Sequence, residues 1–526
     1  YLFAIYMWTL PFQDNKIPYG EDDAMSHWKV ADSFVQKDKA YIYLPPYIDY
    51  DYGGDNKFKP HTLWYHPPFH TDLAIVSSLT RLVIPDRTVP IYLTNAIFAS
   101  SILISVFFVM RKLFGFLPAL LSEFMLVFSM RDIMPYLWGQ WPERFGYAFI
   151  PLILYCFYRY YTTYSKESSR PIYLYLMASL LGMEIMIHPL SFFHSLVGIF
   201  VLGVMLLVKT KKIPFKVKHI IIALLIFIVL FAIFPYQSGN VINSFMQKPK
   251  KIPDSFALSR LWEWGPNPDY FKGSVPESYF SFKDMHGFWT LPFLLIGMLI
   301  LVVRRENRDI FLLAWLISLY LVLHRDAIGK WTFLHRSLSA TAHIFIPITV
   351  IGAISMFSIF KMNRLYKVIL KYSGAILIMV LTVVYNMPPA YSTLEQAYDS
   401  PIARLNPAQI EASEWLMRNI PENQNLSIIG PPPELMGKTW WIAAYSQRVS
   451  LFFEGFLTWG RYKNKPEIAK YHLLNDIIVM DYSDIALLSD KSFVERWLDF
   501  EKQNLGNHTL LYNKDNIRVY KYEASK

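Results

Sequence analysis

The sequence predicts an α-helical polytopic membrane protein of about 11 transmembrane helices, the first truncated, with a C-terminal extracytoplasmic α/β domain. Three observations carry this. Of the 526 residues, 53% are hydrophobic and 17% aromatic, and the apolar residues come in long blocks rather than amphipathic stripes. Lys and Arg gather in short clusters that fall in every second connection between those blocks, which is the pattern of cytoplasmic loops. Beyond residue 388 the composition turns to mixed polar and apolar, behind "NMPPAYS", whose paired prolines stop a membrane helix. The clusters also account for the net charge of +10, so no nucleic-acid partner is read from it.

The chain opens on "YLFAIYMWTL", shorter than the roughly 20 residues of a span, so it is expected to begin inside a first helix. Further spans are expected near 88–110, 116–130, 145–160, 171–187, 190–208, 219–235, 289–303, 309–324, 340–361 and 372–388. The basic clusters stand at Arg111 and Lys112, Arg159 to Arg170, Lys209 to Lys218, "RRENR" at 304–308, and Lys361 to Lys371. Their alternation holds when "HTDLAIVSSLTRLVIP" (70–85) is a juxtamembrane or re-entrant helix. The transmembrane domain then covers 1–388 and places loops 11–87, 131–144, 236–288 and 325–339 on the outer face, together with the soluble domain 389–526.

In that domain "NPAQIEASEWLMRNI" reads as a helix capped by Asn406 with Pro407 at its first position. "LSIIG", "DIIVMDY", and the pair "HTLLYN" and "IRVYKYE" around "KD" read as strands, and "DKSFVERWLDFEKQ" as a second helix. Cys156 is the single cysteine, so no intramolecular disulfide forms, and its apolar neighbours make it an inert core thiol.

The ionisable residues locate the chemistry. "PYGEDDAMSHW" sets Glu21, Asp22 and Asp23 side by side where the first helix ends, with His27 four residues beyond Asp23. Adjacent carboxylates repel unless water, a cation or a substrate offsets them; a solvated loop is the alternative reading. The same loop carries "TLWYHPPFHTDL". The second outer loop, "MRDIMPYLWGQWPERFG", adds Asp132, Glu143 and Arg144, and "LHRDAIGKWTFLHRS" adds Arg325, Asp326, Lys330, His335 and Arg336. Nearly all histidines outside the C-terminal domain lie at span ends on one face. Ionisable groups there are costly unless paired or facing a wet cavity, so a site is expected on that face. Carboxylates on one side can deprotonate a hydroxyl, and cations on the other can hold an anionic group, a division that suits group transfer from a phosphate carrier. His66 and His70 have metal-ligand spacing, but Pro67 and Pro68 between them oppose a regular turn, which favours a structural role.

The order of apolar helix, acidic cluster, "YHPPFH" before a short helix, and "GQWPE" before another span resembles the C-type integral-membrane glycosyltransferases (GT-C). That superfamily includes protein O-mannosyltransferases, aminoarabinose transferases and oligosaccharyltransferase catalytic subunits. "WWIAAYSQRV", "NDIIVMDYSD" and "LLYNKDNIRVYKY" also resemble the extracytoplasmic domain of prokaryotic members.

The resemblance implies an inverting transfer of a sugar from a polyprenyl-phosphate (dolichyl-phosphate-like) donor to a protein, lipid or glycan acceptor outside the membrane. Asp22 or Asp23, within the Glu21 cluster, would be the base or acceptor-positioning group. Asp132 or Glu143 would supply the second-loop acid. Arg336 with His335, then Lys330 and Arg325, would hold the carrier phosphate; a snorkelling Arg is the alternative for Arg336. Two departures stand out. "WWIAAY" replaces the "WWDYG" of oligosaccharyltransferases, and the second loop has no strict D-x-D, which leaves a divalent metal open. No other cofactor and no oligomeric state is read.

The alternative function is a non-catalytic scaffold or accessory subunit, and after it a transporter, for which Glu184 is the one acid deep within a span. Tyr, Ile and Lys usage points to an AT-rich prokaryotic genome, archaea included, and hence to a plasma-membrane location.

Overall fold

The computed structural model describes residues 1–12, 23–37, 49–50, 59–60, 67–164, 170–235, 238–239, 241–242, 263–272, 275–330, 334–356, 363–399, 404–421, 424, 426–429, 436–448, 477–484, 486, 495, 498–499, 501–503 and 505–521. Glu21, Asp22, His61 and His66 lie outside the described residues, as does much of the expected helix "DKSFVERWLDFEKQ". Two compact units emerge. One comprises Tyr1–Trp8, Ala96–Tyr136 and Gln140–Leu394; the other comprises Thr9–Asn95, Leu137–Gly139 and Glu395–Lys526.

The first unit is helical. Among the described residues, four helices are long and apolar enough to cross a membrane: Val89–Phe114, Pro189–Thr210, Leu334–Ser355 and Val368–Ala397. Shorter apolar helices are Phe116–Val127, Ile172–Ile187, Val217–Phe231 and Thr290–Arg304. The expected spans near 145–160 and 309–324 are helices Phe149–Thr163 and Asn307–Leu323. The helix that carries the span expected near 372–388 begins earlier, at Arg364, where the Asn363 side chain accepts the Leu365 N–H and caps it. Thr290–Arg304 and Ala340–Ser355 approach through glycines. A Cβ on Gly297 would collide with the Ile348 carbonyl, and one on Gly352 with the Phe293 carbonyl, so small residues set this crossing. The helix Val217–Phe231 buries only Ala223 and exposes Ile221, Leu224, Leu225, Ile228 and Val229, an apolar surface suited to lipid.

The second unit is mixed. Strands β1 Asp49–Tyr50 and β2 Lys59–Pro60 pair antiparallel, and a four-stranded sheet has the order β3-β4-β6-β5, with β3 Leu426–Ile429, β4 Ile477–Asp481, β5 Thr509–Lys514 and β6 Ile517–Lys521. β3 runs parallel to β4; β4 and β5 each pair antiparallel with β6. All five residues of β4 are buried, as its unbroken apolar run requires. The hairpin turn sits at Asp515 and Asn516, with φ of 49° and 63°, one residue beyond the expected "KD". Asp and Asn take this left-handed pair of positions more readily than Lys.

The helix Pro407–Asn419 begins as expected, with a reciprocal capping box between Asn406 and Gln409. The Gln409 amide then donates to Asp481 and Asp484 at 2.7 Å each, fixing the helix to the end of β4. The helix Ala24–Lys37 is buried along most of its length. Its Asp32, fully buried, accepts from Arg81 at 3.1 Å, Arg87 at 2.8 Å and Gln447 at 2.8 Å. Trp28 stacks on Tyr445 with centroids 5.5 Å apart, and the Arg87 guanidinium lies 4.4 Å from the Tyr445 ring. The expected non-spanning helix is Pro68–Thr80, with Pro68 at its first turn. Its His70 meets His27 at 2.8 Å, both buried.

Candidate functional site

In the first unit the loops between helices bring together a buried cluster of charges. The segment expected as the second outer loop folds as two short helices, Met130–Leu137 and Trp141–Tyr147, the latter opened by Pro142. Gly146 lies against Ser191, where a Cβ would clash, so this turn packs close to Pro189–Thr210.

Asp132 and Arg144 form a fully buried ion pair, and His343 Nε2 lies 2.8 Å from the same Asp132 oxygen. Burial alone would raise the Asp132 pKa, but the Arg144 guanidinium and His343 overcome it and hold the carboxyl at about 2. Asp132 is therefore ionised at neutral pH and committed to its partners. Arg131 donates to the Tyr279 carbonyl and lies 4.8 Å from the Tyr279 ring. His286 Nε2 meets Thr341 Oγ1 at 3.1 Å. Burial, with Arg131 nearby, pushes its pKa well below the ordinary histidine value, so the ring is neutral.

Glu143, 1% exposed, accepts a hydrogen bond from the Tyr147 hydroxyl at 2.5 Å. Burial raises its pKa against the pull of Arg336, Arg144 and Arg325, in that order, and of the Tyr147 bond. The Tyr147 hydroxyl also lies 3.4 Å from the Arg336 carbonyl. Arg336 stands in the 3-10 turn Leu334–Ser339, where the Ser339 hydroxyl donates to the Arg336 carbonyl at 3.0 Å and Ser337 Oγ meets His194 Nε2 at 3.1 Å. Arg325 donates from Nε to the Lys330 carbonyl at 3.0 Å and faces Tyr147, Glu143 and Asp326. Phe271 packs edge-on against His335 at 4.6 Å.

The structure thus gathers four of the expected site residues, Asp132, Glu143, Arg325 and Arg336, in one unit. Lys330 and His335 stand on the same loop, half-buried. Asp23, in the second unit, donates its N–H to the Trp138 carbonyl at 3.2 Å. Glu184 is fully buried and accepts from Ser195 at 3.0 Å. Tyr147 and Arg131 were not singled out by the sequence. Tyr147 sits in an apolar block and reads as an interfacial aromatic; only its position four residues after Glu143, one helical turn, could have marked it. Among the described residues, no group of three or more His, Cys, Asp or Glu is placed to hold a metal ion. Among the described residues the cluster sets Arg131, Arg144, Arg325 and Arg336 near Asp132, Glu143 and Asp326.

No family model and no curated protein matches the sequence. Solved structures do. The oligosaccharyltransferase of Archaeoglobus fulgidus, tethered with an acceptor peptide containing the NVT sequon, is similar at TM-score 0.58 and 11% identity, over 99% of this chain and 73% of that one. ArnT from Cupriavidus metallidurans, bound to undecaprenyl phosphate, is similar at TM-score 0.55 and 11% identity, over 100% of this chain and 97% of that one. At such identity the likeness is one of fold. The chain shares the fold of these two transferases over nearly its whole length, in line with the resemblance drawn from the sequence motifs.

Proposed function

We propose that this chain is an inverting glycosyltransferase that moves a sugar from a polyprenyl-phosphate carrier to an acceptor on the outer face of the membrane. The observation that carries the reading is the gathering of Arg336, Arg325 and Arg144 around one buried carboxylate, on a fold shared with an enzyme bound to undecaprenyl phosphate. Arg grips phosphate oxygens with parallel hydrogen bonds, and the guanidiniums of Arg336 and Arg325 can hold a leaving phosphate without a protonating acid.

In the reaction, the acceptor oxygen forms a bond to the sugar C1 as the bond from C1 to the phosphate oxygen breaks. The phosphate leaves as the lipid phosphate monoester, and the acceptor proton goes to a first-loop carboxylate, Asp22 or Asp23. Asp132 holds Arg144 and takes no proton. The C-terminal domain lies outside the cell in this reading and serves the acceptor.

The test is consumption of radiolabelled polyprenyl-phosphate hexose or pentose by the protein in nanodiscs. Asp22→Asn and Asp23→Asn keep size and shape but remove the charge; one of them, or the pair, is expected to abolish turnover. Wild-type rates in both single variants and in the double variant would remove the first loop from the chemistry.

A further inference from the structure

A second carboxylate of the cluster, Glu143, has no part in the step just described. Glu143 Oε1 takes the Tyr147 hydroxyl at 2.5 Å, whereas Oε2 is buried without a hydrogen-bond partner among the described residues. The groups facing it are Arg336 from the turn Leu334–Ser339, Arg325 from Arg325–Ile328, Arg144 and Tyr147 from its own helix, and Tyr279 from Glu277–Phe280. Asp132 differs, being locked by both Arg144 and His343. A buried carboxylate with one oxygen unfilled stays ionised only while its cations are turned toward it. A phosphate arriving on those arginines adds a second anion and offsets the positive field that favours ionised Glu143.

We propose that Glu143 is the resident counter-ion of the arginine cluster and takes up one proton when a phosphate group binds there, releasing it when the phosphate leaves. The inference rests on the reading above that the cluster binds phosphate. The step is balanced: ionised Glu143, a proton and the phosphate become neutral Glu143 and bound phosphate, with one O–H bond formed. It suits the reaction, because a carrier diester with one negative charge becomes a monoester with nearly two, and a neutral Glu143 spares the added charge a neighbour of like sign. Burial already lifts the Glu143 pKa, which brings the exchange toward neutral pH. Phosphate affinity is then highest where Glu143 is neutral. It falls by up to tenfold per pH unit above the pKa of the free protein, until the pKa of the bound form is reached.

The experiment measures binding of undecaprenyl phosphate, and separately of inorganic phosphate, to the full-length protein in detergent from about pH 5.5 to 8.5. Glu143→Gln copies the neutral form. It is expected to bind as wild type at the acid end and at least tenfold tighter at the alkaline end; the phosphate's own ionisation cancels in this ratio. Calorimetry in buffers of different ionisation enthalpy is expected to show about one more proton taken up by wild type than by Glu143→Gln. Tyr147→Phe removes a bond that favours the ionised form and is expected to tighten alkaline binding as well, an independent check should Glu143→Gln fold poorly. The same ratio with inorganic phosphate assigns the effect to the head group alone; with the lipid only, it assigns it to a head group placed by its tail. Glu143→Gln and Tyr147→Phe binding no tighter than wild type at any pH, with equal proton uptake, overturns the counter-ion. Absence of undecaprenyl phosphate binding by wild type at every pH overturns the phosphate reading itself.

Discussion

Asp132→Asn separates a structural carboxylate from a reacting one. The substitution keeps the side-chain shape but strips the charge that holds Arg144, whose side chain is fully buried, and that meets His343 at 2.8 Å. Breaking a buried pair from one side costs about 3–5 kcal/mol, because the remaining charge stays desolvated and unpaired. The protonation equilibrium accounts for part of that cost. A carboxyl held at about 2 instead of its ordinary 3.8 contributes roughly 2 kcal/mol, at about 1.4 kcal/mol per tenfold in proton affinity. The folded pKa is lowered, so this stabilisation is present above about pH 4 and is lost as the pH falls toward 2.

The assay is thermal unfolding of the detergent-solubilised protein, followed by size-exclusion fluorescence, from neutral pH downward. Asp132→Asn is expected to unfold several degrees below wild type at neutral pH and to lack the wild type's loss of stability below about pH 4. Asp132→Leu combined with Arg144→Met, which removes both charges, is expected to recover part of the loss. An Asp132→Asn protein with wild-type stability but no transfer would refute the structural role and return Asp132 to the chemistry.

Other perturbations address the rest of the account. Arg336→Lys is expected to weaken the apparent affinity for lipid donor and Arg336→Ala to weaken it further, with acceptor affinity changing later; a snorkelling Arg would tolerate Lys. Asp32→Asn leaves Arg81 and Arg87 without their buried carboxylate, so a loss of about 3–5 kcal/mol is expected in the same unfolding assay. Asp269→Asn, on an exposed side chain, serves as the comparison with little effect. With Cys156→Ser as background, cysteines at Lys211 and Asp269 are expected to label from opposite sides of the membrane; labelling from one side would sink the assigned topology.

The helices were legible because apolar blocks and caps are local signals. Asn406, Pro407 and Gln409 announce their helix within four residues. Asp132, Glu143, Arg325 and Arg336 were legible as charges at span ends, where burial makes ionisable groups costly. What was hidden is pairing over long sequence separations. His343 reaches Asp132 across 211 positions and Gln447 reaches Asp32 across 415, and no local pattern encodes such partners. Asp32 and Lys29 stand in a segment expected as an outer loop, yet both are buried. The grouping of the first long loop with the C-terminal segment in one compact unit was invisible for the same reason, since loop and segment are joined by contacts rather than by sequence.

The central claim is that the arginine cluster receives a lipid phosphate, and a structure of the protein with added undecaprenyl phosphate tests it most directly. The account predicts phosphate density within hydrogen-bond reach of Arg336 and Arg325, with the tail leading away between membrane helices. Phosphate bound instead among the lysines near Lys211, with none at the arginine cluster, would contradict it.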